Sequence, residues 1–229
     1  MASLLKYLHI LLFVAWLGID VGVFSSSFIV RRRGMSNETR VVLRRLMRAL
    51  DLAPRLSLIL MIPVATSLAY TTGKGLDGAP EAMFPVLAGL AVLWVLASLW
   101  VFKSLGLMSH ETDTRVCARV RVVGNIDLSL RAVFSAIFIA FGVAYMFGSG
   151  PWHVQTIAWK STLFGIVIAC GIWIRIGGKD FGPALAMVLH ENAGESALIR
   201  MDRAMYRVYP AIIWIWVSLL VMAAIPIFT

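Results

Sequence analysis

The sequence predicts an all-α, polytopic membrane protein: one transmembrane domain built as a six-transmembrane-helix bundle. Three observations carry this. Composition is 60% hydrophobic and only 14% charged, with a mean hydropathy of +0.85, whereas a soluble domain is nearer half apolar and a quarter charged. The apolar residues gather into six stretches, each close to the about 20 residues that cross a bilayer as a helix. Lysine and arginine, finally, divide unequally between the ends of those stretches.

The stretches run over roughly 4–30, 52–72, 84–108, 128–148, 152–176 and 208–228. A signal peptide is the competing reading of the first. It has a single lysine before its apolar run, no small-residue cleavage pattern, and Arg31-Arg32-Arg33 directly behind it, which is the wrong polarity for a leader. The first stretch is therefore expected to stay in the membrane. Eighteen lysines and arginines lie in or beside 31–55, 103–131 and 175–207, and three (Lys6, Lys74 and Lys160) remain for the other side. Positive loops stay in the cytoplasm. Both termini are thus expected on the periplasmic side of a bacterial inner membrane, with short outer loops around Thr72–Ala82 and Gly148–Trp152. The net charge of +9 reads as juxtamembrane anchoring, with the lipid bilayer as the partner and no nucleic acid. Cys117 falls in a basic loop and Cys170 inside a span, so neither suggests a disulfide or a zinc motif.

The cytoplasmic starts of the even-numbered spans resemble one another. Thr39-Arg40-Val41 leads to Asp51-Leu52-Ala53-Pro54-Arg55, and Thr114-Arg115-Val116 leads to Asp127-Leu128-Ser129-Leu130-Arg131. A weaker third copy has Arg200-Met201-Asp202-Arg203, then Tyr206-Arg207. Each aspartate stands where a span begins and complements the positive end of the helix dipole. Arginine four residues on can pair with it. The reading is three helical hairpins, 1–72, 73–148 and 149–229; recurrence of ordinary helix-start residues is the alternative. Pro54, Gly124-Asn125 and Pro210 sit where an interfacial helix would turn into a span. Ser36 before Asn37-Glu38-Thr39 is a start signal. After the loop Gly177–Pro183, Ala184–His190 reads as a short helix lying on the membrane. Lys179 in that loop is not followed by Ser or Thr, so no phosphate-binding pattern fits.

Ionisable groups inside spans are costly and usually face the bundle. On the first span His9, Trp16, Asp20 and Ser27 fall within roughly 20° of one line at 100° per residue. They form a polar seam running from near the outer face to near the inner one. The fifth span places Lys160 roughly 13 Å past Pro151, with His153 seven residues earlier on the same face. His9, His153 and Lys160 would then share the outer half of the bilayer. A neutral imidazole there can ligate a haem iron or a copper ion, and a lysine can meet a propionate or another anion, or carry a proton. The bland alternatives are a snorkelling Lys160 and a His9 that only bonds a neighbouring helix. His110 and His190 lie among charges and receive no role. Most of the eight tryptophans fit the aromatic belt. The eleven methionines show no paired motif of the kind that traps cuprous ion.

Leu8-His9-Ile10 followed by Ala15-Trp16-Leu17-Gly18 resembles the first helix of the HemJ-type protoporphyrinogen oxidases and the related CopD-like membrane proteins. Trp159-Lys160 at the head of an apolar helix is similar to the family's later helix with its lysine. Tyr206-Arg207-Val208-Tyr209-Pro210, with Ile225-Pro226-Ile227-Phe228 at the far end, resembles its last helix, and Arg45-Leu46-Met47 through Pro54 is a looser match to its second. The resemblance implies haem b or a porphyrin held in the bundle, with His9 as metal ligand. His9, His153 and Trp16 are then the candidate cofactor-binding residues, and Lys160 and Asp20 the candidate catalytic ones. The chain departs from the family in having six spans where the family has four, and Asp20 and the Asp51 and Asp127 pairs with arginine are not part of the family pattern.

The function these features imply is a haem-b-associated redox protein of the inner membrane, a possible oxidoreductase that exchanges electrons between a substrate or partner and the quinone pool, with Asp20 relaying protons along the seam. A second copy of the chain or a larger membrane complex is an expected partner. The rivals are a small transporter or channel lined by His9, Asp20 and Lys160, and an accessory subunit whose basic face docks a larger enzyme. The charge split makes a topology prediction. A reporter fused after Thr229 is expected on the outer side, and one inserted in 31–50 or 178–198 on the cytoplasmic side. The opposite labelling would invert the orientation.

Overall fold

The computed structural model describes residues 1–107, 114–190 and 195–225. These residues are all-helical, with no strand among them: α1 (Ala2–Val30), α2 (Asn37–Thr71), α3 (Met83–Leu107), α4 (Thr114–Met146), α5 (Gln155–Gly177), α6 (Phe181–His190) and α7 (Glu195–Ala224). All but α6 are long and apolar enough to cross a membrane, and the chain is a multi-pass membrane protein. His110 and the closing Pro226-Ile227-Phe228 lie outside the described residues.

Ser36 caps α2, its hydroxyl accepting the Thr39 backbone N–H at 3.3 Å. The helix then runs 35 residues without a break, roughly 52 Å, well beyond a hydrocarbon core of about 30 Å. The helices do not end at Pro54, at Gly124-Asn125 or at Pro210, where an interfacial helix is expected to turn into a span: α2, α4 and α7 each continue through those positions as one helix. The basic stretches are N-terminal extensions of the spans themselves. Proline removes one backbone bond to the preceding turn, and the long helices on either side carry the chain across it.

One start differs from expectation at the opposite end. The fifth helix begins at Gln155, not at 152. The preceding residues instead tie the loop after α4 to the loop after α2: the Leu76 N–H donates to Pro151 O at 2.6 Å and the His153 N–H to Lys74 O at 3.1 Å. Gly75, at φ +152°, makes this approach feasible, because an added Cβ would stand 2.5 Å from Pro151 O.

The main core joins Trp16 of α1, Leu58, Ile59 and Ile62 of α2, Phe164, Val167 and Ile168 of α5, and Ile215 and Leu219 of α7. Beyond it α1 packs along α2, and α5 packs on both α4 and α7. The neighbour that α4 meets most closely is α5, across the 148/149 division, whereas α3 touches α4 sparingly. Small residues explain the difference. A Cβ on Gly165 would meet Ser135 O at 2.8 Å, and one on Gly142 would meet Ala158 O at 2.5 Å. Ser135 Oγ donates to Gly165 O and Ser161 Oγ to Phe138 O, both at 2.7 Å. Small residues with interhelical hydroxyl bonds are how helices associate where lipid removes the hydrophobic drive. At the arginine-rich end, α6 lays Ala184, Leu185 and Val188 against Val30, Ala197 and Met201.

The α4–α5 contact yields a stability prediction. Gly165→Ala is expected to lower the unfolding free energy in detergent by about 1–3 kcal/mol, because the backbones must separate. Gly171→Ala, with nothing within 4 Å of its Cβ position, is expected to stay within about 0.5 kcal/mol of wild type. Equal effects at both positions would mean that α4 and α5 do not pack through this contact.

Candidate functional site

The seam on α1 faces the bundle. Trp16 and Ser27 are buried and His9 and Asp20 half-buried, while Leu4, Tyr7, Ile10 and Val14 on the other side are exposed. Trp16 meets Phe164 of α5 edge-on at 6.2 Å, and Phe164 meets Phe138 of α4 at 5.0 Å. Towards the arginine-rich end, Asp20 accepts a 2.8 Å hydrogen bond from the indole Nε1 of Trp216 on α7. In the other direction, His9 turns Nδ1 inward, buried and without a hydrogen-bond partner among the described residues. Lys160 lies within electrostatic reach of it and has no ion-pair partner among the described residues.

Of the remaining candidates, His153 is not on the α5 helix. It precedes α5, in the loop, and its Nε2 lies 2.8 Å from the Asp77 carboxylate with both side chains about half exposed or more. The helix period does not apply to a residue outside the helix, so the shared face with Lys160 is lost. The later helix start also moves Lys160 closer to the helix end, five residues after Gln155 and so roughly 7.5 Å along the axis.

A second constellation lies at the arginine-rich end. Asp51 pairs with Arg55 at 2.5 Å and Asp127 with Arg131 at 3.1 Å, both as i,i+4 pairs. Asp202 has no arginine at that spacing and pairs with Arg31 of α1 at 2.6 Å, while Arg31 also meets the Tyr209 hydroxyl. The three aspartates stand 20, 19 and 22 residues before the ends of their helices at Thr71, Met146 and Ala224. At 1.5 Å per residue each is roughly 30 Å from the opposite end, one hydrocarbon thickness. Their surroundings differ. Asp127 is 15% exposed and also receives Arg175 of α5 at 2.5 Å and the Trp94 indole of α3 at 2.7 Å.

The tryptophans depart from a simple belt. Trp100, Trp159, Trp173 and Trp214 are exposed, but Trp16, Trp94 and Trp152 are buried, and Trp94 and Trp216 donate to the carboxylates of Asp127 and Asp20. An indole N–H inside a bilayer needs an acceptor, and the two aspartates supply it. Sequence periodicity missed Trp94 and Arg175; the signal that could have found them is the surplus of donors required by a carboxylate within a span.

Compared with protein-family models, curated proteins and solved structures, the chain matches none. The family resemblance rests on its short motifs alone.

The two kinds of aspartate differ in a measurable way. Asp127→Ala leaves Arg131 and Arg175 without their carboxylate and is expected to cost about 3–5 kcal/mol of stability. Asp51→Ala, at a pair roughly half exposed, is expected to cost about 0–1 kcal/mol. Chemical denaturation in detergent micelles compares them, and similar losses would contradict a central role for Asp127.

Proposed function

We propose that this chain is a haem-b-associated redox protein of the bacterial inner membrane that exchanges electrons with the quinone pool. The observation carrying the reading is the buried, unpartnered imidazole nitrogen of His9 on the bundle-facing side of α1, with the unpaired Lys160 in electrostatic reach. A buried polar atom left without a partner costs about 1–3 kcal/mol, and a bond to iron is one way to remove that cost. Among the described residues no three His, Cys, Asp or Glu side chains converge on a metal position. A metal held at His9 would therefore draw most of its coordination from its own macrocycle, and that favours haem over a bare ion. When bound, haem supplies one-electron chemistry. The residues of the chain would do the rest: His9 would hold the iron, Lys160 would meet an anionic group, and Trp16 packed on Phe164 would keep water from the inner side of the seam. Asp20 meets one neutral donor and no ion-pair partner among the described residues, so it can take and give a proton without breaking a salt bridge.

Protein purified from haem-replete cells is expected to show a Soret band. His9→Ala should abolish the band while leaving the protein inserted, and Lys160→Ala should reduce turnover more than haem content. A colourless wild-type preparation would remove this reading.

A further inference from the structure

A cleft of about 430 Å³ lies between α2, α3 and α4, away from the seam. Its lining is three helical stripes. On α2 it extends from Arg48 to Pro63 and on α3 from Leu87 to Phe102, in each case roughly 22 Å along the axis. That is longer than one leaflet of a hydrocarbon core about 30 Å thick. The cleft is polarised. Arg48, Asp51, Arg55, Asp127, Arg131 and Arg175 gather at the arginine-rich end, four guanidinium groups and two carboxylates among the described residues. The remaining lining is apolar except for Ser98, with Ile59, Ile62, Leu87 and Phe134 among it. It is also open sideways: Leu90, Leu93 and Ile126 line it and are each more than half exposed, on spans whose outer surface meets lipid.

Those features specify an occupant. A cavity that opens laterally within the bilayer is filled from the bilayer. An apolar trough longer than a leaflet suits an acyl chain. A cluster of guanidinium groups at one end selects an anionic head, and guanidinium forks match phosphate oxygens. Basic pockets between transmembrane helices bind anionic lipid head groups on this logic. We propose that the α2–α3–α4 cleft is a binding site for an anionic phospholipid of the leaflet at the arginine-rich end, with its phosphate among these arginines and an acyl chain beneath α3. The site does not depend on haem at His9.

The test uses the delipidated full-length protein in detergent and native mass spectrometry, with phosphatidylglycerol, phosphatidylcholine and oleate titrated separately. Phosphatidylglycerol is expected to bind at least about fivefold more tightly than phosphatidylcholine, the preference one basic residue provides, and more tightly than oleate. Arg48→Gln is expected to reduce that preference about fivefold. Ala97→Phe, which fills the trough without changing charge, is expected to abolish tight phosphatidylglycerol binding. Equal binding of the two phospholipids by the wild-type protein would overturn the proposal, whether or not the variants fold. So would full binding by Ala97→Phe, and tighter binding of oleate would assign the cleft to a free fatty acid instead.

Discussion

A carboxylate enclosed by helices at the mouth of a membrane bundle needs donors to satisfy it, and at Asp127 those donors arrive from three helices. Arg131 comes from its own helix one turn on, Arg175 from the end of α5, and the indole of Trp94 from α3. This one group sets how α3, α4 and α5 are spaced. Where α4 meets α5 beyond it, the backbones close on Gly142 and Gly165 and leave no room. On the other side, α3 reaches α4 through long side chains: Trp94 stacks on Phe134 at 5.9 Å and lies under the Arg131 guanidinium at 5.7 Å. A helix attached by an indole stands further off than one attached by a glycine. The cleft is the space left by that difference.

The same chemistry recurs between α1 and α7 with another outcome. Asp20 is held by Trp216, and Phe24 packs edge-on against both Trp216 and Tyr209. Arg31 closes this contact at the arginine-rich end by bonding Asp202 and lying over Phe28 and Tyr209. Asp127 is fixed by cations and serves to position helices. Asp20 meets only a neutral indole among the described residues.

Much of this architecture was legible in the sequence for plain reasons. Hydropathy and the lysine–arginine split define the spans and separate the two ends, Ser36 announces α2, and the i,i+4 spacing gives the Asp51–Arg55 and Asp127–Arg131 pairs. Helical periodicity also placed His9, Trp16, Asp20 and Ser27 on one inward line. It failed wherever a residue's neighbour lies on another helix. Gly142 and Gly165 are unremarkable until α4 and α5 are side by side. Trp94 has the same apolar pattern in a lipid belt as in a core, so only the partner on α4 distinguishes them. His153 was misplaced because loop bonds to Lys74 and Asp77 took the residues before Gln155 out of the helix.

The seam and the cleft lie on opposite sides of α2, and the layer between them is thin. Ile59 and Ile62 line the cleft and belong to the same buried cluster as Trp16. A molecule in the cleft therefore touches side chains that share one packed cluster with the seam. Such a core is dense and transmits displacement poorly as continuous deformation but well as a shift between discrete packings. Filling the cleft would press α3 outward or α2 inward. α3 is held to α2 by Arg48 on Phe102 O and by Tyr70 against Phe84, and to α4 by the Trp94 indole, whereas α2 packs along α1 over its length, so α3 is the less firmly packed of the two. The seam can then keep its geometry whatever the bilayer supplies on the other side of α2.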